Sequence, residues 1–141
     1  MRDMKQRLDP HTIKTYRKML GEDREAFIDG FLELHSNEQY QILRILDGKE
    51  LEAVFALISP ETFAPIFKWF SHKRQMKLYG IMAEDYRIRM LERLSTDDTR
   101  RFIGPMGEAD QKKILSRLSP TKRRHMEELL QYDQHSAGSI M

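Results

Sequence analysis

The chain has 141 residues, 40% hydrophobic and 33% charged, which suits one folded domain with a thin core and excludes a collagen-like, low-complexity or disordered chain. It contains no cysteine, so disulfide scaffolds, thiolate zinc sites and cysteine nucleophiles are excluded. Twenty-four Lys plus Arg against 22 Asp plus Glu leave a formal charge of +2, too balanced to indicate nucleic acid by itself.

The segment from Met1 to Pro10 carries Arg2, Asp3, Lys5, Arg7 and Asp9, which reads as neither signal peptide nor membrane span. No run of about 18 uncharged apolar residues occurs anywhere in the chain. Apolar residues then recur at helical spacing: Ile13, Tyr16 and Leu20, then Phe27, Phe31 and Leu34, then Tyr40, Leu43 and Leu46. Helix starts are expected at Asp9-Pro10, at Gly21-Glu22-Asp23, and at Ser36-Asn37-Glu38-Gln39, which matches a capping box. Spacing in this part is less regular than it is beyond Asp47.

From Asp47 to Leu130 the sequence divides without a gap into seven blocks of twelve. Position 8 reads Val54, Ile66, Leu78, Met90, Phe102, Ile114 and Met126, and position 12 reads Ile58, Phe70, Met82, Leu94, Met106, Leu118 and Leu130. Position 9 is apolar from Phe55 to Leu115 and breaks at Glu127. Spacings of three and four place these side chains on one helix face. Position 1 holds Asp47, Ser59, Ser71, Ala83, Ser95, Gly107 and Ser119, mostly residues that cap a first helical turn. Pro60 and Pro120 follow a cap, Pro105 fits a helix stop, and Pro65 is expected to shorten or kink its helix.

Helices this short are marginal alone and must bury their stripes on neighbours. The predicted fold is all-α: a right-handed α-solenoid of about ten short helices, with a 12-residue helix period and a 24-residue hairpin repeat.

Catalytic signals are missing. The glycines form no phosphate loop, the five histidines have no metal-ligand spacing, and the serines are accounted for as caps, so the chain reads as a non-enzyme. Met82, Met90, Met106 and Met126 fall on core positions, while Trp69 at position 11 fits either core or binding surface. Arg87, Arg89, Arg100, Arg101, Lys112, Lys113, Arg123 and Arg124 recur at positions 5 to 7 of four consecutive blocks. Stacking of alternate helices would make them two basic rows, either a solvated face or a surface for an acidic protein partner. Few aromatics interleave them, so nucleic acid is not the expected partner.

The last residues run Tyr132, Asp133, Gln134, His135, Ser136, Ala137, Gly138, Ser139, Ile140, Met141. This segment, together with the Ser-Pro starts and leucine-type blocks, resembles the N domain of MgtE-type magnesium transporters; flagellar motor switch proteins carry similar short-helix arrays and are the alternative. The resemblance implies an N-like domain over 1–131 and a linker over 132–141, with Ala137-Gly138 a hinge leading into CBS domains. It further implies a cytosolic regulatory module, at the cytoplasmic face of a homodimeric transporter, that senses magnesium and docks on the CBS domains and connecting helix to gate the pore. The fragment itself would not enter the membrane. Any Mg2+ would then sit at an interdomain site, for which the resemblance points to Asp97, with Asp98 adjacent. The same two acids also read as ordinary first-turn partners of a helix dipole. Arg101 and Pro65 stand where the family can carry further acids.

Overall fold

The computed structural model describes the backbone of residues 7–140 and the side chains of residues 7–131. Among the described residues there are ten helices and no strand: α1 Pro10–Glu22, α2 Arg24–Phe31, α3 Ser36–Leu43, α4 Gly48–Leu57, α5 Pro60–Phe67, α6 His72–Ile81, α7 Glu84–Arg93, α8 Thr96–Ile103, α9 Glu108–Leu115 and α10 Pro120–Ile140. The all-α expectation holds.

The twelve-residue period is stricter than the apolar spacing alone suggests. From Arg24 onward, every helix opens twelve residues after the one before, so the two blocks ahead of Asp47 are in phase as well. The capping box sits one residue earlier than expected, with Glu38 Oε1 accepting from the His35 backbone N–H at 2.9 Å. The phase of these two blocks is obscured by Gly30, which occupies position 8 of its block. A Cβ there would lie 2.6 Å from the Tyr16 hydroxyl, so the phenol fills the space that an apolar side chain fills in other blocks. Tyr16 also meets Phe27 edge-on at 6.0 Å.

Caps set the helix starts. Ser59, Ser71 and Ser95 accept from the backbone N–H three residues on, at 3.1, 3.3 and 3.0 Å, and Ser119 does so at 3.3 Å. Asp47 and Glu50 exchange both bonds of a capping box at 2.9 Å. Pro65 departs from expectation. It lies inside α5, which neither breaks nor is shorter than α2, α3, α8 or α9, helices with no interior proline. Pro65 is exposed and near the end of a two-turn helix, where the missing N–H disturbs little.

The chain forms two compact units, one ending at Ala83 and the other beginning at Glu84. In the first, α3 packs on α5 and α4 on α6, while α1 lies against α2, α3 and α4. Its core is aromatic: Phe27 stacks on Phe31 at 5.1 Å, Phe63 meets Phe55 at 5.0 Å, and Tyr40 meets Phe70 at 4.8 Å. Each such ring removed from water contributes about 1.5–3 kcal/mol. Arg17 clasps Glu50 with two bonds, at 2.8 and 3.0 Å, tying α1 to α4.

In the second unit α10 packs on α8 and α9. Met90, Leu91, Phe102, Ile103, Ile114, Leu115 and Met126 are buried there. The packing of α3 on α5, α4 on α6 and α10 on α8 is compatible with stacked hairpins. The burial pattern agrees: all seven position 8 side chains are buried, and at position 12 only Met106 is half-buried.

One device recurs at 36-residue intervals. Gln39, Gln75 and Gln111 hold position 5, and each donates its side-chain amide to the carbonyl eight residues back: Phe31, Phe67 and Ile103, at 2.8, 2.9 and 3.0 Å. Gln111 also reaches the Gly104 carbonyl at 3.0 Å. These carbonyls end α2, α5 and α8, where helical geometry leaves acceptors without an intrahelical donor.

Candidate functional site

The Asp97 region is built on α8. Ser95 caps the helix, Asp97 and Asp98 occupy the first turn, and Arg100 and Arg101 fall three and four residues later, one turn along the same surface. The four side chains join. Arg100 Nη2 donates to Asp97 Oδ1 at 2.8 Å, Arg101 Nη2 donates to Asp97 Oδ2 at 2.9 Å, and Arg101 Nη1 donates to Asp98 Oδ1 at 3.3 Å. The Arg100 hydrogen bond and charge, followed by those of Arg101, hold the Asp97 carboxyl below the ordinary aspartate value. Both oxygens of Asp97 are thus already engaged by guanidinium groups.

Lys122, in the first turn of α10, donates to the Leu94 carbonyl at the end of α7. Burial holds its ammonium below the usual lysine value, and Glu92 and Asp98 offset this only in part. Glu92 in turn accepts from the Ser119 backbone N–H and from its hydroxyl at 3.1 Å. Arg117, just after α9, pairs with Glu84 at the start of α7. Of the expected basic residues, Arg89, Arg101, Lys112, Lys113 and Arg124 are exposed, and Arg87, Arg100 and Arg123 are half-buried. Packing of α10 on α8 brings together the elements that carry Arg100, Arg101, Arg123 and Arg124.

The sequence leaves Trp69 open between core and binding surface. Trp69 is 43% exposed, and its indole N–H donates to Ser36 Oγ at 3.1 Å, so it lies at the surface and not in the core. The backbone is helical through Ala137 and Gly138, since α10 runs to Ile140, where the sequence pattern suggests a flexible exit. A lone glycine lowers helix propensity by about 1 kcal/mol, and its neighbours from Pro120 onward are mostly compatible with helix. The side chains of that segment lie outside the described residues. Motif and spacing arguments do not single out α6, whose signal is compositional: Lys73, Arg74 and Lys77 with no acid in the helix.

The sequence profile of the MgtE intracellular N domain family matches residues 34–135. The chain belongs to this family. Among solved structures it is similar to the one described as the crystal structure of the soluble part of a magnesium transporter, with a TM-score of 0.77 and 25% identity over 86% of this chain. The chain spans about half, 49%, of the length of that protein. No curated protein sequence matches it.

For an MgtE N domain, the acids of α8 are the place to test for a metal. Among the described residues no three His, Cys, Asp or Glu side chains come together to hold an ion. Arg101 stands where the resemblance allows another acid and bridges Asp97 to Asp98, while Pro65 is exposed on α5 of the other unit. Asp97 and Asp98 as they stand do not fit a magnesium centre: magnesium takes near-octahedral oxygen ligation and would compete here with three guanidinium contacts. No helix among the described residues is long and apolar enough to cross a membrane.

Proposed function

We propose that this chain is the cytosolic regulatory domain of a magnesium transporter, a non-enzymatic helical body that docks on CBS domains of the same homodimeric protein and so helps to hold the pore shut. Membership of the MgtE intracellular N domain family over residues 34–135 carries this reading. The likeness to the soluble part of a magnesium transporter supports it. Magnesium is the cargo of such a protein. Because Asp97 and Asp98 do not fit a magnesium centre, the ion's regulatory binding is assigned to an interdomain site built chiefly from carboxylates other than these two.

What the domain contributes mechanically is a body that moves as packed units, since most of its helices are too short to persist undocked. The helical backbone across Ala137 and Gly138 makes the exit an extension of α10 that would pass on the orientation of the second unit. The test uses the complete gene product in cells that lack magnesium uptake of their own, beside a version without residues 1–131. Both should restore uptake, and only the truncated one should keep transporting as internal magnesium rises. No uptake by the complete protein, or the same internal magnesium dependence in both, overturns the proposal.

A further inference from the structure

On α6, Met76 and Lys77 lie three and four residues after Lys73, and Gly80 lies four and three residues after them, so the four share one exposed face. Met76 is 42% exposed, an apolar side chain set between two cations. Among the described residues neither Lys73 nor Lys77 forms an ion pair, and α6 carries no acid. Its third cation, Arg74, is turned inward: it donates to the Arg44 carbonyl at 3.4 Å and lies 5.7 Å over the Phe70 ring. The φ of Gly80 is not positive, and outside its own stretch of helix nothing lies within 4 Å of where a Cβ would sit. Glycine in such a place lets another backbone approach closely. Neighbouring α4 repeats the lysine and the small residue in its own block, with Lys49 and Ala56 exposed at the positions of Lys73 and Gly80, and places the exposed acid Glu52 where α6 has Met76.

The geometry points to this α4–α6 face as a docking site for an amphipathic helix that sets an apolar ridge between acidic residues. The ridge packs on Met76, whose flexible thioether adapts to irregular surfaces, beside the small residues Ala56 and Gly80. The acids of the incoming helix pair with Lys73, Lys77 and Lys49. Opposite charge across such a rim fixes register and speeds association, and it weakens with salt. Resting on the transporter reading, the inference has the helix supplied by the same complete protein.

The experiment places a benzophenone amino acid at position 76 of the complete protein and maps the photo-crosslinked peptide by mass spectrometry. The expected product is a helical segment rich in Asp and Glu. Its yield should fall severalfold in a Lys73→Glu/Lys77→Glu variant and at high salt, with the circular dichroism of the domain unchanged. Absence of a crosslink, a crosslinked peptide without acids, or a yield indifferent to the charge reversal overturns the docking site. Magnesium uptake is measured on the same proteins: uptake without the crosslink sinks this inference alone, and the crosslink without uptake sinks only the transporter reading.

Discussion

Gln39, Gln75 and Gln111 show how a single side chain can close the weak point of a short helix. A two-turn helix has as many free carbonyls at its end as a long one, so the fraction of its backbone acceptors needing outside donors is large. The amide of Gln111 reaches back to two of them, at Ile103 and Gly104, from the next helix. Leucine at this position fills a similar volume and donates nothing. Gln111→Leu should therefore cost about 1–2 kcal/mol, seen as a fall of about 0.5–1 M in the urea midpoint. Gln131→Leu, on the exposed face of α10, should leave the midpoint where it is. Equal midpoints for the two variants would show that the bracket adds no net stability.

A helix of eight to ten residues gains little from propagation, so its start matters more than in a long helix. Ser95 accepts from the Asp98 N–H, while Gly107, the cap of α9, has no side chain to do the same. Space is open at Gly107, and its φ of −65° suits any L-residue. Ser95→Ala should lower stability by about 1 kcal/mol, and Gly107→Ser should raise it by about 0.5–1 kcal/mol, both read from thermal or urea unfolding. A destabilising Gly107→Ser would mean that the α9 start is set by packing and not by its cap. These starts are legible in the sequence because capping and apolar phase agree in each block from Asp47 on. Upstream they are less so: Gly30 breaks the position 8 pattern for a reason held in Tyr16, fourteen residues away, which no local reading supplies. The candidate site is readable only in part. Adjacency of Asp97, Asp98, Arg100 and Arg101 can be read from helical spacing, but whether the guanidinium groups fold back on the acids or point away depends on rotamers that a sequence does not specify. The α6 face is visible as composition, yet its exposure depends on how α4 and α6 pack.

For the whole molecule, the question is whether the chain by itself responds to magnesium. A ligand that binds only the folded state stabilises it by RT ln(1 + [L]/Kd). An ion site with a Kd near 1 mM would, at about 10 mM magnesium, add roughly 1.4 kcal/mol and raise the melting temperature by about 4–6 °C for a chain of this size. The paired state of Asp97 argues against such a gain, because an incoming cation must first displace Arg100 and Arg101 from its two oxygens. Magnesium chloride should thus shift the melting temperature of this chain no more than calcium chloride or sodium chloride at matched ionic strength. In an Arg101→Ala variant, Asp98 loses its guanidinium partner and Asp97 keeps only Arg100. A small magnesium-specific rise in melting temperature is then expected, larger than in the parent chain. If the parent already shows the full rise of several degrees, the arginine pairing does not exclude the ion, and Asp97 with Asp98 would have to be reassigned as a magnesium site within this chain.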